Sequence, residues 1–505
     1  MNRLIVRASG TTNPPVDRVG AFDHHGDMTT VILFRWCQTV TALVALLIMG
    51  SVFCARAAER PNLVYILLDD AGFGDLGCYG QEKFATPNMD RLAAEGMRFT
   101  QHYSGCTVCA PTRCSLMTGM HTGHCYIRGN REIKPEGQEP LEASAVTIPR
   151  LLKPAGYATG AFGKWGLGAP GTTGDPARHF NLFYGYNCQR EAHNYYPDHL
   201  WSNEERVELD GKTYSHDLIM EQATRFIRQN RKLPFFAFLP VTIPHAALHV
   251  PESYAEPFRK KFPEFENVTG KYAGPEITNP AAMFAGMMTK IDEDVGKLLA
   301  LLDELGIAEN TVVMLSSDNG PHQEGGHRPD FFNSSGGLRG HKRDLYEGGI
   351  RAPFLVRWPG KIKAGSVSDL PSAHWDILPT LCELAGTPAP EATDGISLVP
   401  TLLGQGDGQK RHEYLYWEFY EQGGRRAVRF GDWKAVQQGL NKPKTNDVEL
   451  FDLKSDPAEK SDIAASHPDQ VALALRYFQE AHTDSLLWTF GNKANAKGLN
   501  RTEGR

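Results

Sequence analysis

Thr311-Val312-Val313-Met314-Leu315-Ser316 follows closely on residues 283–305, where Met287, Ile291, Val295, Leu298 and Leu302 recur at helical spacing. An amphipathic helix leading into an unbroken apolar strand implies a parallel sheet covered on both faces. Outward from this unit the grammar repeats. Residues 62–68 read as a second buried strand, 235–239 as a third and 88–95 as a helix. The fold class predicted from Pro61 onward is α/β, a large mostly parallel mixed sheet sandwiched by helices. Around residues 404–409 the composition turns to Gly, Gln and Asp. Beyond it, residues 414–419, 426–430, 433–436 and 448–452 read as short strands joined by Gly-Gly and Gly-Asp turns, and 468–481 as a helix. This predicts a small C-terminal antiparallel sheet packed with a helix. The expected division is a leader over 1–58, an α/β domain over 59–405 and an α+β subdomain over 406–505. No fixed-period repeat or low-complexity tract interrupts it.

The chain has 505 residues, 41% of them hydrophobic, which excludes a disordered polymer and suits one large domain with a satellite. Its 53 basic and 59 acidic residues are interspersed, giving a formal charge of -6 and no basic surface for nucleic acid. The one long apolar run, residues 40–53, follows Arg35 and precedes Ala55-Arg56-Ala57. That layout is a signal peptide cleaved near Ala57 or Ala58, with residues before Met28 an over-extended start or polar leader. The alternative, a membrane anchor, meets a run short of the roughly 20 residues a bilayer needs. The protein is therefore expected to be exported, periplasmic or secreted, with no stable membrane anchor. Of nine cysteines, Cys37 and Cys54 fall in the leader. If Cys109 is modified, Cys78, Cys106, Cys114, Cys125, Cys188 and Cys382 remain, as disulfides of unreadable pairing or as buried thiols.

Two predicted strands end in side chains that carry chemistry. Residues 63–68 deliver Asp69 and Asp70, with Gly72 and Gly74 opening the turn, and residues 312–315 deliver Asp318 and Asn319. Strand ends of a parallel sheet face the usual ligand crevice. Oxygen-only donors suit a hard cation, Ca²⁺ or Mg²⁺, although an isolated Asp-Gly pair is also an ordinary turn. Cys109 stands before Arg113-Cys114-Ser115-Leu116-Met117, which reads as a helix start with Pro111 in its first turn. A group there meets free N–H donors and the positive helix end, a natural seat for an anion. An unmodified cysteine at that spot would instead be a low-pKa nucleophile or a core thiol.

Cys109-Ala110-Pro111-Thr112-Arg113 with Leu116-Met117-Thr118-Gly119 resembles the signature of the type I sulfatases, the arylsulfatase A-like, formylglycine-dependent branch of the alkaline phosphatase superfamily. The resemblance implies that formylglycine-generating machinery reads Pro111 and Arg113 and oxidises Cys109 to formylglycine. Thr112 stands where serine is commoner. It also implies a divalent cation, Ca²⁺ with Mg²⁺ possible, on Asp69, Asp70, Cys109, Asp318 and Asn319.

Further stretches carry the likeness, which runs through five ordered blocks over roughly residues 60–400. Gly163-Lys164-Trp165-Gly166-Leu167-Gly168 resembles the block whose lysine contacts sulfate, here Lys164, but Gly166 stands where the family commonly has histidine. His193, in a polar and aromatic setting, is the candidate substitute; a surface or substrate-contact histidine fits the same sequence. Pro244-His245 matches the family's Pro-His block, with His249 in support. Lys342, four residues before Tyr346-Glu347-Gly348-Gly349, matches the second sulfate-binding lysine. Singly, each lysine would read as a solvated surface charge.

In the chemistry this implies, the aldehyde hydrates to a geminal diol and one hydroxyl attacks sulfur in line. Arg113, Lys164 and Lys342 neutralise the sulfate oxygens, His245 and Lys342 help the alcohol leave, and the second hydroxyl expels sulfate. A serine or cysteine could not finish this way, having no second hydroxyl. The expected substrate is a sulfated polysaccharide, glycosaminoglycan or aryl sulfate. Alternatives are a phosphomonoester or phosphonate hydrolase of the same superfold, and a sulfoglycan-binding protein with unconverted Cys109. Phe180, Phe183, Tyr184, Tyr186, Tyr195, Tyr196 and Trp201 could stack on sugar rings or pack a loop. Arg190, His193 and Asn194 could read hydroxyls or a second sulfate.

Overall fold

The computed structural model describes residues 60–441 and 447–491. The expected leader, its apolar run and the cleavage position lie outside the described residues. No described helix is long and apolar enough to cross a membrane.

A ten-stranded sheet runs in the order Ser366–Ser368, Met97–Phe99, Phe354–Arg357, Thr311–Ser317, Asn62–Leu68, Phe235–Pro240, Ala158–Lys164, Leu182–Tyr186, His199–Ser202 and Glu205–Glu208. The five strands from Thr311–Ser317 to Leu182–Tyr186 are mutually parallel, while antiparallel pairings flank them on both sides. This bears out the predicted large mixed sheet.

Side-chain alternation along Asn62–Leu68 explains why its sequence is continuously apolar. Val64, Ile66 and Leu68 join one core with Met287, Ile291, Val295 and Leu298 of the Pro280–Glu304 helix. Leu63, Tyr65 and Leu67 join the opposite core with Leu116 and Met117 of the Cys109–Thr118 helix and Ile377 and Leu381 of the Ile377–Ala385 helix. Successive strand residues point to opposite faces, so a strand covered on both sides needs apolar residues throughout. Each such side chain, fully buried, contributes about 2 kcal/mol of transfer free energy.

The helix read from residue 283 begins three residues earlier, because Asn279 caps it by accepting the Ala282 N–H at 2.9 Å. Gly72 and Gly74 do more than open a turn. A Cβ at Gly72 would lie 2.1 Å from the Ser334 carbonyl oxygen, and one at Gly74 would lie 2.3 Å from that of Asn333. The loop behind Asp69 and Asp70 therefore lies directly against backbone.

The four strands Leu415–Phe419, Arg425–Phe430, Trp433–Gln438 and Val448–Asp452 form the expected antiparallel sheet. Trp417, Phe419 and Val436 on one face pack against Tyr103, Tyr346 and Trp375. Tyr416, Phe430 and Leu450 on the other meet Ala474 and Phe478 of the Pro468–Glu480 helix. The seven cysteines among the described residues, Cys109 included, are free thiols.

Candidate active site

The carboxyl ends of the parallel strands converge as the crevice rule requires. Asp69 and Asp70 follow Asn62–Leu68, Asp318 and Asn319 follow Thr311–Ser317, and Lys164 ends Ala158–Lys164. All are fully buried. Asp70 takes a left-handed backbone, φ 67°, a conformation that costs an L-residue about 1 kcal/mol and that aspartate tolerates better than most. Its N–H donates to Asp318 Oδ1 at 3.1 Å, and its Oδ1 accepts from Asn319 Nδ2 at 2.7 Å.

Cys109 opens the Cys109–Thr118 helix. No side chain caps that end, but Asn130 Oδ1 accepts the Ala110 N–H at 3.1 Å. The thiol lies 3.3 Å from Lys164 Nζ and 3.7 Å from Asp69 Oδ1. Burial, with Asp69 opposing the nearby lysines, pushes the thiol up to about 12. An unmodified Cys109 in this pocket is thus a neutral thiol, which weighs against a low-pKa nucleophile.

Four basic groups surround the carboxylates. Lys164 Nζ is 2.7 Å from Asp69 Oδ2, Arg113 Nη2 is 2.8 Å from Asp318 Oδ2, and Lys342 Nζ is 2.8 Å from Asp70 Oδ2. His245 Nε2 lies 2.9 Å from Lys342 Nζ and 3.3 Å from Asp70 Oδ2. An ammonium can only donate, so Nε2 accepts from Lys342, and the proton sits on Nδ1, which donates to the Ala246 carbonyl. Burial and the neighbouring Lys342 hold His245 well below the usual histidine range, consistent with that neutral tautomer. Burial alone would raise Asp69, yet the charges of Lys164, Arg113 and Lys342 outweigh it and hold the carboxyl well below its usual range. Burial and Asp69 push Asp318 up to about 7, against Arg113.

The donor set fits a hard divalent cation on two observations. Asn319 Oδ1 is buried with no hydrogen-bond partner beside the Asp70 carboxylate. One ligand atom each from Asp69, Asp70 and Cys109 lies within 4.8 Å of the others, in a cluster that His245, its Nε2 engaged by Lys342, completes. Carboxylate and amide oxygens in that number suit Ca²⁺ or Mg²⁺.

The remaining sequence expectations divide. His193 enters the site, its ring stacked parallel to that of His245 with centroids 4.3 Å apart. Gly166 has φ 73°, and a Cβ there would meet the Gln189 side chain at 3.1 Å, so the backbone itself disfavours histidine at that place. His249 points elsewhere, with Nε2 3.1 Å from the Pro275 carbonyl. The aromatic segment is corrected in part. Phe180, Phe183, Tyr184, Tyr186 and Tyr195 are buried in the cores flanking the sheet and offer no stacking face, because the Leu182–Tyr186 strand runs inside the sheet. Tyr195 instead supports the site from below, its hydroxyl donating to the His245 carbonyl at 2.9 Å. Arg190 is half exposed and paired with Glu132 at 3.0 Å and Glu191 at 3.1 Å, so a second sulfate would compete with two carboxylates. Asn194 Oδ1 accepts the Tyr196 N–H at 3.1 Å.

The sequence reading missed several neighbours. His322 stacks on His245 at 5.8 Å, and Glu324 pairs with Arg343 beside Lys342. Their only signal was position, a few residues after Asp318-Asn319. Asn130 and Tyr272, the latter edge-on to His193 at 5.1 Å, carried none.

A strand-end cluster of acids and an amide, ringed by three buried cations and opening onto a helix N-terminus, is built to hold an anion beside a cation. A sulfatase family model matches residues 61–387, and one for the N-sulphoglucosamine sulphohydrolase C-terminal region matches 340–478. Human arylsulfatase A is 32% identical over 496 residues, spanning 87% of this chain and 91% of that protein. An N-acetylgalactosamine-6-O-sulfatase of Bacteroides thetaiotaomicron is 28% identical, spanning 82% of this chain and 91% of its own. Among solved structures, Ps i-CgsB aligns with TM-score 0.72 at 26% identity over 86% of this chain and 96% of that one. The phosphonate monoester hydrolase of Agrobacterium radiobacter, 20% identical with TM-score 0.57 over 83% and 94%, shares the fold. The chain therefore belongs to the type I sulfatase family. It is a sulfuric ester hydrolase of the arylsulfatase-like kind.

Proposed function

We propose that this protein hydrolyses sulfate monoesters on a sulfated polysaccharide or glycosaminoglycan, after export, using formylglycine made from Cys109 and a bound Ca²⁺. The observation that carries this reading is the placement of the Cys109 side chain 3.3 Å from Lys164 Nζ at a helix N-terminus, beside the partnerless Asn319 Oδ1. Formylglycine would supply a hydrated aldehyde as nucleophile and a second hydroxyl for sulfate release. The cation, held by Asp69, Asp70, Asp318, Asn319 and residue 109, would supply Lewis acidity; Mg²⁺ is the alternative occupant.

The chain's own residues supply the rest. Arg113, Lys164 and Lys342 bind the sulfate oxygens in a pocket that excludes water, where charge-assisted contacts are strong. Lys342 Nζ, hydrogen-bonded to His245 Nε2, is placed to deliver a proton to the departing alcohol oxygen. His193, stacked on His245, takes the proton-accepting role that Gly166 cannot fill. The glycan assignment is supported by N-acetylgalactosamine-6-O-sulfatase and by Ps i-CgsB, which has been solved with k-i-k-neocarrahexaose.

The test is the mass of the tryptic peptide containing position 109, from protein made in a host with formylglycine-generating activity, with the same sample assayed on an aryl sulfate and an aryl phosphate. Conversion with sulfate turnover is expected. An unconverted thiol without turnover would favour a binding protein, and phosphate preference would favour the phosphonate hydrolase branch. His193→Ala is expected to abolish steady-state sulfate release; unchanged release would remove His193 from the mechanism.

A further inference from the structure

With most of the 179–201 aromatics in the core, the surface on which the leaving group rests has to be sought elsewhere. Among the described residues, the large hydrophobic side chains that are exposed are Ile133, Val146, Leu233, Val367, Leu475, Leu486 and a single aromatic, Tyr272. Tyr272 is 40% exposed and sits on the turn between the short strands Thr269–Gly270 and Ile277–Thr278. A solvent-facing ring needs a reason other than packing, since aromatics contribute most when buried.

Its position supplies one. The ring stands edge-on to His193, with centroids 5.1 Å apart at 70°, and to His245, 5.7 Å apart at 65°. His245 is the group bonded to Lys342 and set 3.3 Å from Asp70. Behind it Arg113, Lys164 and Lys342 are all buried. With sulfate seated there and its ester oxygen toward Lys342 and His245, as the proposed function has it, the ring on that oxygen would emerge on the side where Tyr272 stands.

We propose that Tyr272 is the platform for the six-membered ring bearing the sulfate ester, a specificity-determining contact to the apolar face of a pyranose or an aryl group. The inference rests on the sulfatase reading and adds to it the place where the leaving group lies. Pyranose and aryl rings share the chemistry the platform uses, a flat apolar face one ester link from the anion.

The test compares wild type, Tyr272→Phe and Tyr272→Ala on 4-nitrophenyl sulfate and on a monosaccharide 6-sulfate, with inorganic sulfate as competitive inhibitor. For Tyr272→Ala, KM is expected to rise roughly fivefold to tenfold, the worth of one aromatic contact. Its kcat should stay within about twofold, inhibition by inorganic sulfate should be unchanged, and Tyr272→Phe should behave as wild type. A rise on the saccharide alone assigns the platform to pyranoses, and a rise on the nitrophenyl ester alone assigns it to aryl rings. An unchanged KM on both overturns the proposal. So does a loss of kcat with a displaced pH profile, which would make Tyr272 a positioning residue for His193 and His245. If wild type turns over neither ester, the sulfatase reading falls, and calorimetric binding of the same esters to wild type and Tyr272→Ala decides the platform separately.

Discussion

At the scale of the residue, the site is a balance of buried charges in which each group fixes its neighbour's state. Lys342 shows this most plainly. Burial would lower it, but Asp70 and Glu324 hold it well above the usual lysine value, so it remains an ammonium next to a neutral His245. On the proposed reading, replacing it removes an anion contact and the proton donor together. Lys342→Ala should lower kcat on an aryl sulfate by about 10²-fold or more, the usual consequence of losing one preorganised charge-stabilising donor; a loss under tenfold would dismiss Lys342 from the chemistry. The residues of the motif blocks were legible in sequence because they follow strands or open a helix at fixed spacing. Tyr272 and Asn130 were not, because nothing in their local sequence distinguishes a residue facing the site from one in an ordinary turn.

At the scale of the element, the short helix Glu347–Ile350 ties the block containing Lys342 to the C-terminal sheet through buried ions. Lys434 Nζ lies 2.9 Å from Glu347 Oε1 and 2.9 Å from Glu459 Oε1, all three side chains fully buried. Tyr103 donates to Glu347 Oε2 at 2.8 Å, and Glu459 Oε2 accepts the Glu347 N–H at 2.6 Å. Removing the one lysine leaves the buried Glu459 carboxylate without its basic partner, beside a Glu347 that keeps only Arg351 at 3.0 Å. Lys434→Met should therefore destabilise the protein by about 3–5 kcal/mol in urea denaturation, and a change below 1 kcal/mol would show the network to be dispensable. The strands and helices read from apolar runs and helical periodicity lie within a few residues of those found, although others, such as Ala158–Lys164 and Ser215–Asn230, were not read. Which strands pair with which was not, because the antiparallel Phe354–Arg357 and the parallel Asn62–Leu68 carry similar apolar sequences.

At the scale of the whole molecule, the segment after the Pro468–Glu480 helix packs back against the loop that carries Gly123 and Arg128. Glu418, fully buried, accepts from His482 Nδ1 at 2.5 Å and Tyr416 Oη at 2.7 Å, with Arg128 Nη1 at 3.3 Å. The hydrogen bond to Glu418 raises His482 above the usual histidine value despite partial burial. A raised folded-state pKa contributes stability that is complete below the unfolded value of about 6.5 and is lost as pH climbs through the folded value. The Tm gap between wild type and His482→Gln should accordingly be widest near pH 6 and narrow toward pH 9; a gap constant with pH would show that His482 is not charged in the fold. The proposed cation would act on the same global equilibrium. A hundredfold excess of Ca²⁺ over its Kd should stabilise the protein by about 2–3 kcal/mol, seen as a Tm that falls with chelator and recovers with Ca²⁺, whereas Asn319→Ala should blunt the response.

The sequence by itself determined the α/β class, the small C-terminal sheet and the acids, cysteine and lysines of the site, because periodicity and motif spacing are properties of neighbouring residues. The tertiary structure decided that the aromatics of residues 180–195 belong chiefly to the core, that His193 stacks on His245, and that Tyr272 stands exposed at the rim. Those facts depend on which surfaces strands and loops cover when segments far apart in the chain meet, and burial of that kind leaves no trace in local order.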